Sequence, residues 1–134
     1  MNLDSFAEII SPLRLRILES LKEEKHPSEL ASEFKITRQA VDKHLTLLYN
    51  YGLVDKRIKI SHRPMIFYRI TLEGEDFLQN LNEVAREHIL SLRKRYKDEL
   101  FILDQMLVDG KIDEREYLQR KRNLDKRFSW VMKV

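Results

Sequence analysis

Residues 27–51, PSELASEFKITRQAVDKHLTLLYNY, decide the fold of this chain. Pro27 and Ser28 suit the first turn of a helix, and Leu30, Ala31 and Phe34 give that helix one apolar side. Lys35-Ile36 breaks the pattern, and Thr37 offers a side-chain oxygen to cap a second helix. In the second helix Ala40 or Val41, Leu45 and Leu48 recur at the spacing of a buried face. Arg38, Gln39, Asp42, Lys43 and His44 are left to face outward. Gly52 follows where a left-handed cap closes a helix. A helix, a tight turn and a second helix form the arrangement that lays the second helix in the major groove of DNA.

Downstream, Leu53 to Ile70 holds two β-type runs with partial alternation, Arg57-Ile58-Lys59-Ile60 and Ile66-Phe67-Tyr68-Arg69-Ile70. Ser61-His62-Arg63-Pro64-Met65 lies between them as the tip, and its lack of Gly predicts a turn longer than two residues. The charge follows the same boundaries. Lys35 to Ile70 carries eight Lys/Arg against two Asp/Glu, a balance of +6, while the whole chain carries +3. Positive charge gathered on one module is the electrostatic footprint of a phosphate partner.

Upstream, Ser11-Pro12 starts a helix carrying Leu13, Ile17, Leu18 and Leu21, which the polar KEEKHP stretch ends. Leu3 to Ile10, with Ser5 and Glu8 in capping-box register, predicts a short helical turn before it. Past the hairpin, Thr71 caps a long helix with Glu73 and Glu75 at its positive end. Apolar residues at 78, 81, 85, 89, 92, 96, 100, 103 and 107 form one stripe as far as Asp109-Gly110. So long a stripe calls for a partner helix. Asp113 and Glu116 then open a last helix with Tyr117, Leu118, Leu124, Phe128 and Val131 apolar.

Composition narrows the classes. A length of 134 residues suits one domain with an appendage, and 43% apolar residues suffice for a core. The absence of Cys excludes disulfides, thiolate metal sites and Cys nucleophiles. No apolar run approaches the length of a membrane span, and the acidic MNLDSFAEII start lacks the features of a secretory signal. A cytoplasmic protein is expected. Residues 71–110 carry five basic and nine acidic groups, which suits a protein-facing surface better than DNA.

Together these pieces make the chain recognisable. Ser11-Pro12-Leu13-Arg14-Leu15-Arg16-Ile17-Leu18, Glu29-Leu30-Ala31, Thr37 to Leu45, Gly52-Leu53-Val54 and Phe67-Tyr68-Arg69-Ile70-Thr71 stand in the order and spacing of one family. Residues 6–72 resemble the ArsR-type winged-helix repressors of the MarR/ArsR group. The resemblance implies a mostly α (α+β) fold, a winged helix-turn-helix with a small antiparallel β-hairpin wing and a long dimerisation helix. It also implies a homodimer, a two-fold operator in double-stranded DNA and transcriptional repression. Asp42 stands where the family often has Ser, so its carboxylate must meet a base, pair with Arg38 or Lys43, or face the protein. Metal-sensing members use Cys or clustered His and Asp, and this chain has neither. Residues 100–124 look like the short C-terminal helical hairpin called SHOCT, for which oligomerisation is the plainest role.

The expected division is 1–72, the DNA-binding domain, and 73–134, the long helix with its C-terminal hairpin. Candidate DNA contacts are Thr37, Arg38, Gln39, Lys43 and His44 on the second helix and Arg57, Lys59, His62 and Arg63 on the wing. Arg on guanine and Gln on adenine have bidentate geometry, and phosphate contacts from the wing give position and affinity. Protonation of His44 or His62 would strengthen phosphate contact at lower pH. Candidate dimer contacts are Leu78, Leu81, Ala85, Ile89, Leu92 and Tyr96.

Against these stand plainer readings: a solvated helix face, a charged strand edge that discourages pairing, and a self-contained helical core. The four His are scattered, no nucleophile stands beside a base, and no Gly-rich phosphate cradle occurs. Hence no enzyme, metal or cofactor is expected, and the sequence specifies no small-molecule effector. Two other uses of the same surface remain, a non-specific architectural DNA binder and a protein-interaction module.

Overall fold

Ser11 accepts the Arg14 N–H at 3.2 Å and starts α2 (Pro12–Ser20), with Pro12 at a position that needs no hydrogen bond. The structure, a computed structural model, describes residues 2–133. Before α2 lies α1 (Leu3–Ala7), capped by Asn2 accepting from Asp4 at 2.9 Å. The cap therefore falls three residues earlier than the Ser5–Glu8 register predicts, and Ser5 sits inside the helix.

α3 (Pro27–Phe34) is capped by His26, whose Nδ1 takes the Ser28 N–H at 3.1 Å while Glu29 returns to the His26 N–H at 3.0 Å. Lys35 then adopts the left-handed region at φ 54°, and Ile36 turns back toward the core. Thr37 Oγ1 accepts from Ala40 at 3.1 Å to open α4 (Arg38–Asn50). α4 ends with Gly52 at φ 76°, where Gly52 donates to Tyr49 and Leu53 to Leu48 at 3.0 and 2.9 Å. That closure drops Leu53 into the core beside Leu48.

β1 (Val54–Ile60) and β2 (Pro64–Ile70) pair antiparallel from Val54 opposite Ile70 to Ile60 opposite Pro64. The loop is therefore Ser61-His62-Arg63 alone; Pro64 and Met65, expected in the tip, begin β2. Pro is tolerated at a strand's first residue, where its missing donor costs little. Lys25 exchanges two backbone bonds with Tyr68 at 2.9 and 2.8 Å, adding a bridge on the far edge of β2. No alternation marks it, because it spans one residue.

Thr71 joins β2 to α5 (Leu72–Val108). Its hydroxyl donates to the Gly52 carbonyl at 2.7 Å and accepts the Gly74 N–H at 2.9 Å, and its own N–H donates to the Leu53 carbonyl at 3.0 Å. Ile9, Ile17, Leu18, Leu21, Leu30, Val41, Leu45, Leu48, Leu53, Val54, Ile70 and Leu78 form the core of this unit. Truncating a fully buried Leu such as Leu45 to Ala costs about 2–5 kcal/mol.

The chain separates into compact units at Leu81 and Asn82, rather than at the expected 72/73. The first turns of α5 stay with the N-terminal unit because Phe77 and Leu78 pack into its core. Leu78, expected at a dimer contact, is 8% exposed there.

In the C-terminal unit α5 meets α6 (Glu114–Arg127) and α7 (Ser129–Met132), with Leu103, Ile112, Phe128 and Val131 buried. Tyr96 packs on Phe128, ring centroids 5.7 Å apart, and donates to Asp125 at 2.5 Å. Tyr117 donates to Asp104 at 2.5 Å across the hairpin, and Arg93 donates to the Val131 carbonyl. Each carboxylate partner raises its tyrosine hydroxyl above the usual phenol range. The stripe expected to await a second chain is thus partly covered by the chain itself. Leu92 and Tyr96 are half-buried there, and Ala85 stays exposed.

Candidate nucleic-acid interface

α4 presents Arg38, Gln39, Asp42, Lys43, Thr46, Tyr49 and Asn50 outward, the complement of its buried Val41, Leu45 and Leu48. Thr37 lies at the helix's positive end with its side chain exposed. Arg38 Nε stands 3.1 Å from Asp42 Oδ1, one turn away. Of the routes open to Asp42, the structure takes the pairing with Arg38. Both groups are about half exposed, so the pair contributes little stability, about 0–1 kcal/mol. Its effect is to hold the guanidinium along the helix surface.

His44 departs from expectation. It is half-buried, and its Nδ1 accepts from Arg14 Nε at 3.2 Å. Arg14 also donates to the Glu8 carbonyl, tying the end of α1 to α4. Desolvation, with the Arg14 charge adding to it, holds the imidazole below its ordinary 6.5. The i,i+3/i+4 count of the buried face left His44 outside by one position. With Nδ1 accepting from Arg14, protonation of the ring at lower pH would have to displace that bond.

The hairpin sorts its residues by face, since neighbours along a strand point to opposite sides. Lys56, Ile58 and Ile60 share one face with Tyr68, Ile66 and Pro64. Arg57 and Lys59 share the other with Arg69, Phe67 and Met65. The first face is the α4 side: Lys56 Nζ lies 4.2 Å from the centre of the Tyr49 ring, a cation–π contact. Burial raises the Tyr68 hydroxyl, and the Asp42 charge adds to it.

The second face belongs to Glu24, which stands 2.9 Å from Lys59 and 3.7 Å from Arg57. The Lys59 hydrogen bond, with the charges of Lys59, Arg57 and Arg69, lowers the Glu24 carboxyl against an opposing desolvation. Lys59 also covers Phe67, which meets the His26 ring edge-on at 5.6 Å. Thus Arg57 and Lys59 lie on the face away from α4, while exposed His62 and Arg63 sit at the tip.

Sequence reading missed Tyr49, Thr46 and Lys56. Thr46 and Tyr49 were legible, standing one and two turns beyond Asp42 and Lys43 on the same face. Lys56 follows only from the strand register. Among the described residues, no group of three or more His, Asp or Glu is placed to hold a metal, and no helix is long and apolar enough to cross a membrane.

No curated protein matches the sequence. A family model described as a helix-turn-helix domain matches residues 9–57. The structure is similar to NolR from Sinorhizobium fredii, at 30% identity over 60% of this chain and 81% of that one, with a TM-score of 0.51. It is similar to ytcD, described as a putative HTH-type transcriptional regulator, at 25% identity over 66% and 98% of the two chains, with a TM-score of 0.53. A transcriptional regulator homologue from Pyrococcus horikoshii OT3 shares the fold at 24% identity, 66% and 97% coverage and a TM-score of 0.56. Identity of 30% across four fifths of a relative with the same architecture marks common descent, and the chain belongs to the helix-turn-helix transcriptional regulators.

Proposed function

We propose that the protein is a dimeric, sequence-specific DNA-binding regulator of the ArsR type, acting as a repressor on a two-fold operator. Arg38, Gln39 and Lys43 read base edges from α4, Thr37 and the start of α4 meet phosphate, and His62 and Arg63 reach the flanking backbone. The observation that carries the reading is the coincidence of shape and charge. The outward face of α4 and the hairpin beside it bear the +6 segment of a chain whose total is +3.

Dimerisation falls to the N-terminal unit. Leu3, Phe6, Ile10 and Leu72 stay exposed there, and Phe6 meets Phe77 of α5 at 5.5 Å. Such apolar exposure on α1 and at the start of α5 suits a second copy. Two-fold pairing sets the half-sites about 10 bp apart, one helical turn.

Selection of bound sequences from a random duplex pool at near-physiological salt tests this reading. An enriched two-fold motif is expected. Retained DNA without enrichment would assign the protein to non-specific architecture, and no retained DNA would refute DNA binding.

A further inference from the structure

The pairing of Arg38 with Asp42 leaves one end of the guanidinium free. The bond runs from Nε to Oδ1 at 3.1 Å, and neither terminal nitrogen of Arg38 donates a hydrogen bond among the described residues. The two side chains are 52 and 54% exposed, so the free end opens on solvent. The charges of both act on the Tyr68 hydroxyl of β2, which puts the pair on the hairpin side of α4. Gln39 and Lys43 stand beside it on the outward face.

Position and charge decide what that end can meet. Arg38 is the first residue of α4, at the helix end that attracts phosphate. An unrestrained Arg there would turn to the nearest backbone phosphate. Asp42 opposes this twice over: it offsets the charge of the guanidinium, and it repels a phosphate brought up to the pair. Hydrogen bonding is not offset. Nη1 and Nη2 still present two donors side by side, and guanine is the base whose major-groove edge accepts two, at O6 and N7. Adenine sets an amino donor beside its N7, thymine offers O4 beside a methyl group, and cytosine offers a donor.

Resting on the DNA-binding reading above, we propose that Asp42 is a positioning residue for base choice, turning Arg38 from the DNA backbone to a guanine in each half-site. The terminal nitrogens of Arg38 hold that guanine by O6 and N7, and Asp42 itself touches no base. A carboxylate on the reading face thus lowers affinity for DNA in general and raises discrimination at one base pair.

The test is a double-mutant cycle on Arg38 and Asp42, read both as motif preference and as the dependence of binding on salt. Asp42→Ala should bind unrelated duplex more tightly than wild type. Its slope of log affinity against log salt should steepen by about 0.9 for each Arg38 that turns to phosphate. Its preference for guanine at one position of the half-site should fall roughly tenfold. In Arg38→Ala that preference is already lost, and adding Asp42→Ala should move it no further. A merely structural role for Asp42 would instead weaken binding to every duplex alike. Both positions are exposed and Ala favours helix, so the melting temperature should hold. Asp42→Asn, whose amide oxygen can accept from Nε, should keep part of the preference, and it repeats the comparison if the Ala variant melts early.

An unchanged guanine preference in Asp42→Ala, in a protein that does select a motif, overturns this inference alone. So does an equal loss of preference with and without Arg38, which would mean that Asp42 meets the base itself. A wild-type protein that enriches no motif overturns the sequence-specific reading and this inference with it.

Discussion

Gly74 shows how one residue can be fixed by its surroundings. A Cβ built there would stand 2.3 Å from the Leu53 carbonyl oxygen and 2.7 Å from Ile70 Cγ1. The first neighbour is backbone and cannot swing aside. Gly74→Ala should therefore destabilise the N-terminal unit by about 1–3 kcal/mol or more, despite the better helix propensity of Ala. Urea unfolding of the two proteins measures it.

His44 gives a prediction of opposite visibility, legible only in pH. Its folded pKa lies below the ordinary 6.5, so the unfolded chain takes up a proton first as pH falls. This group's contribution is constant above about 6.5 and declines below it, until the folded pKa is passed. In His44→Gln, whose amide oxygen can accept the Arg14 bond, the urea midpoint should change less between pH 7.5 and 5.5. Neither residue declared its role in the sequence. Gly74 reads as a weak helix former, and His44 as one more polar residue on an amphipathic helix.

At the scale of elements, most of the fold was legible. Thr37 as cap, the Leu45 and Leu48 spacing and the Gly52 closure are local chemistry, and local chemistry is what a sequence displays. Two things were hidden. His26 caps α3 although His is an uncommon cap, and Lys25 bridges Tyr68 across 43 positions of sequence.

The site shows the same division. The outward face of α4 could be counted off in turns. The assignment of Arg57 and Lys59 to the face held by Glu24 depends on strand register and on the α2–α3 loop. That restraint has a measurable effect. Glu24→Gln leaves Arg57 and Lys59 without their counter-charge, so DNA affinity should rise, and the salt slope should steepen by up to about 0.9 for each cation that turns to phosphate. An unaltered slope would show that both cations keep away from the backbone.

For the whole molecule, the two units carry separate cores, and damage to one should stay there. Phe128 is 2% exposed and packs on Tyr96 in the C-terminal unit. Phe128→Ala should cost that unit about 3–5 kcal/mol. Hydrogen exchange should then quicken in α6 while the amides of α4 keep their protection. Uniform loss of protection would mean that the units unfold as one. The apolar stripe of α5 was plain in the sequence, but how much of it the chain covers by itself was not. Periodicity shows that a stripe must be covered, and cannot show that α6 and α7 of the same chain cover part of it.

One residue, Thr71, separates β2 from α5, and three of its hydrogen bonds reach the Gly52 and Leu53 carbonyls as well as the Gly74 N–H. The end of α4, the root of the hairpin and the start of α5, a helix about 55 Å long, are tied at a single point. There is no slack in such a joint. A shift of the first turn of α5 would therefore be felt at once by the end of α4 and by the root of the hairpin.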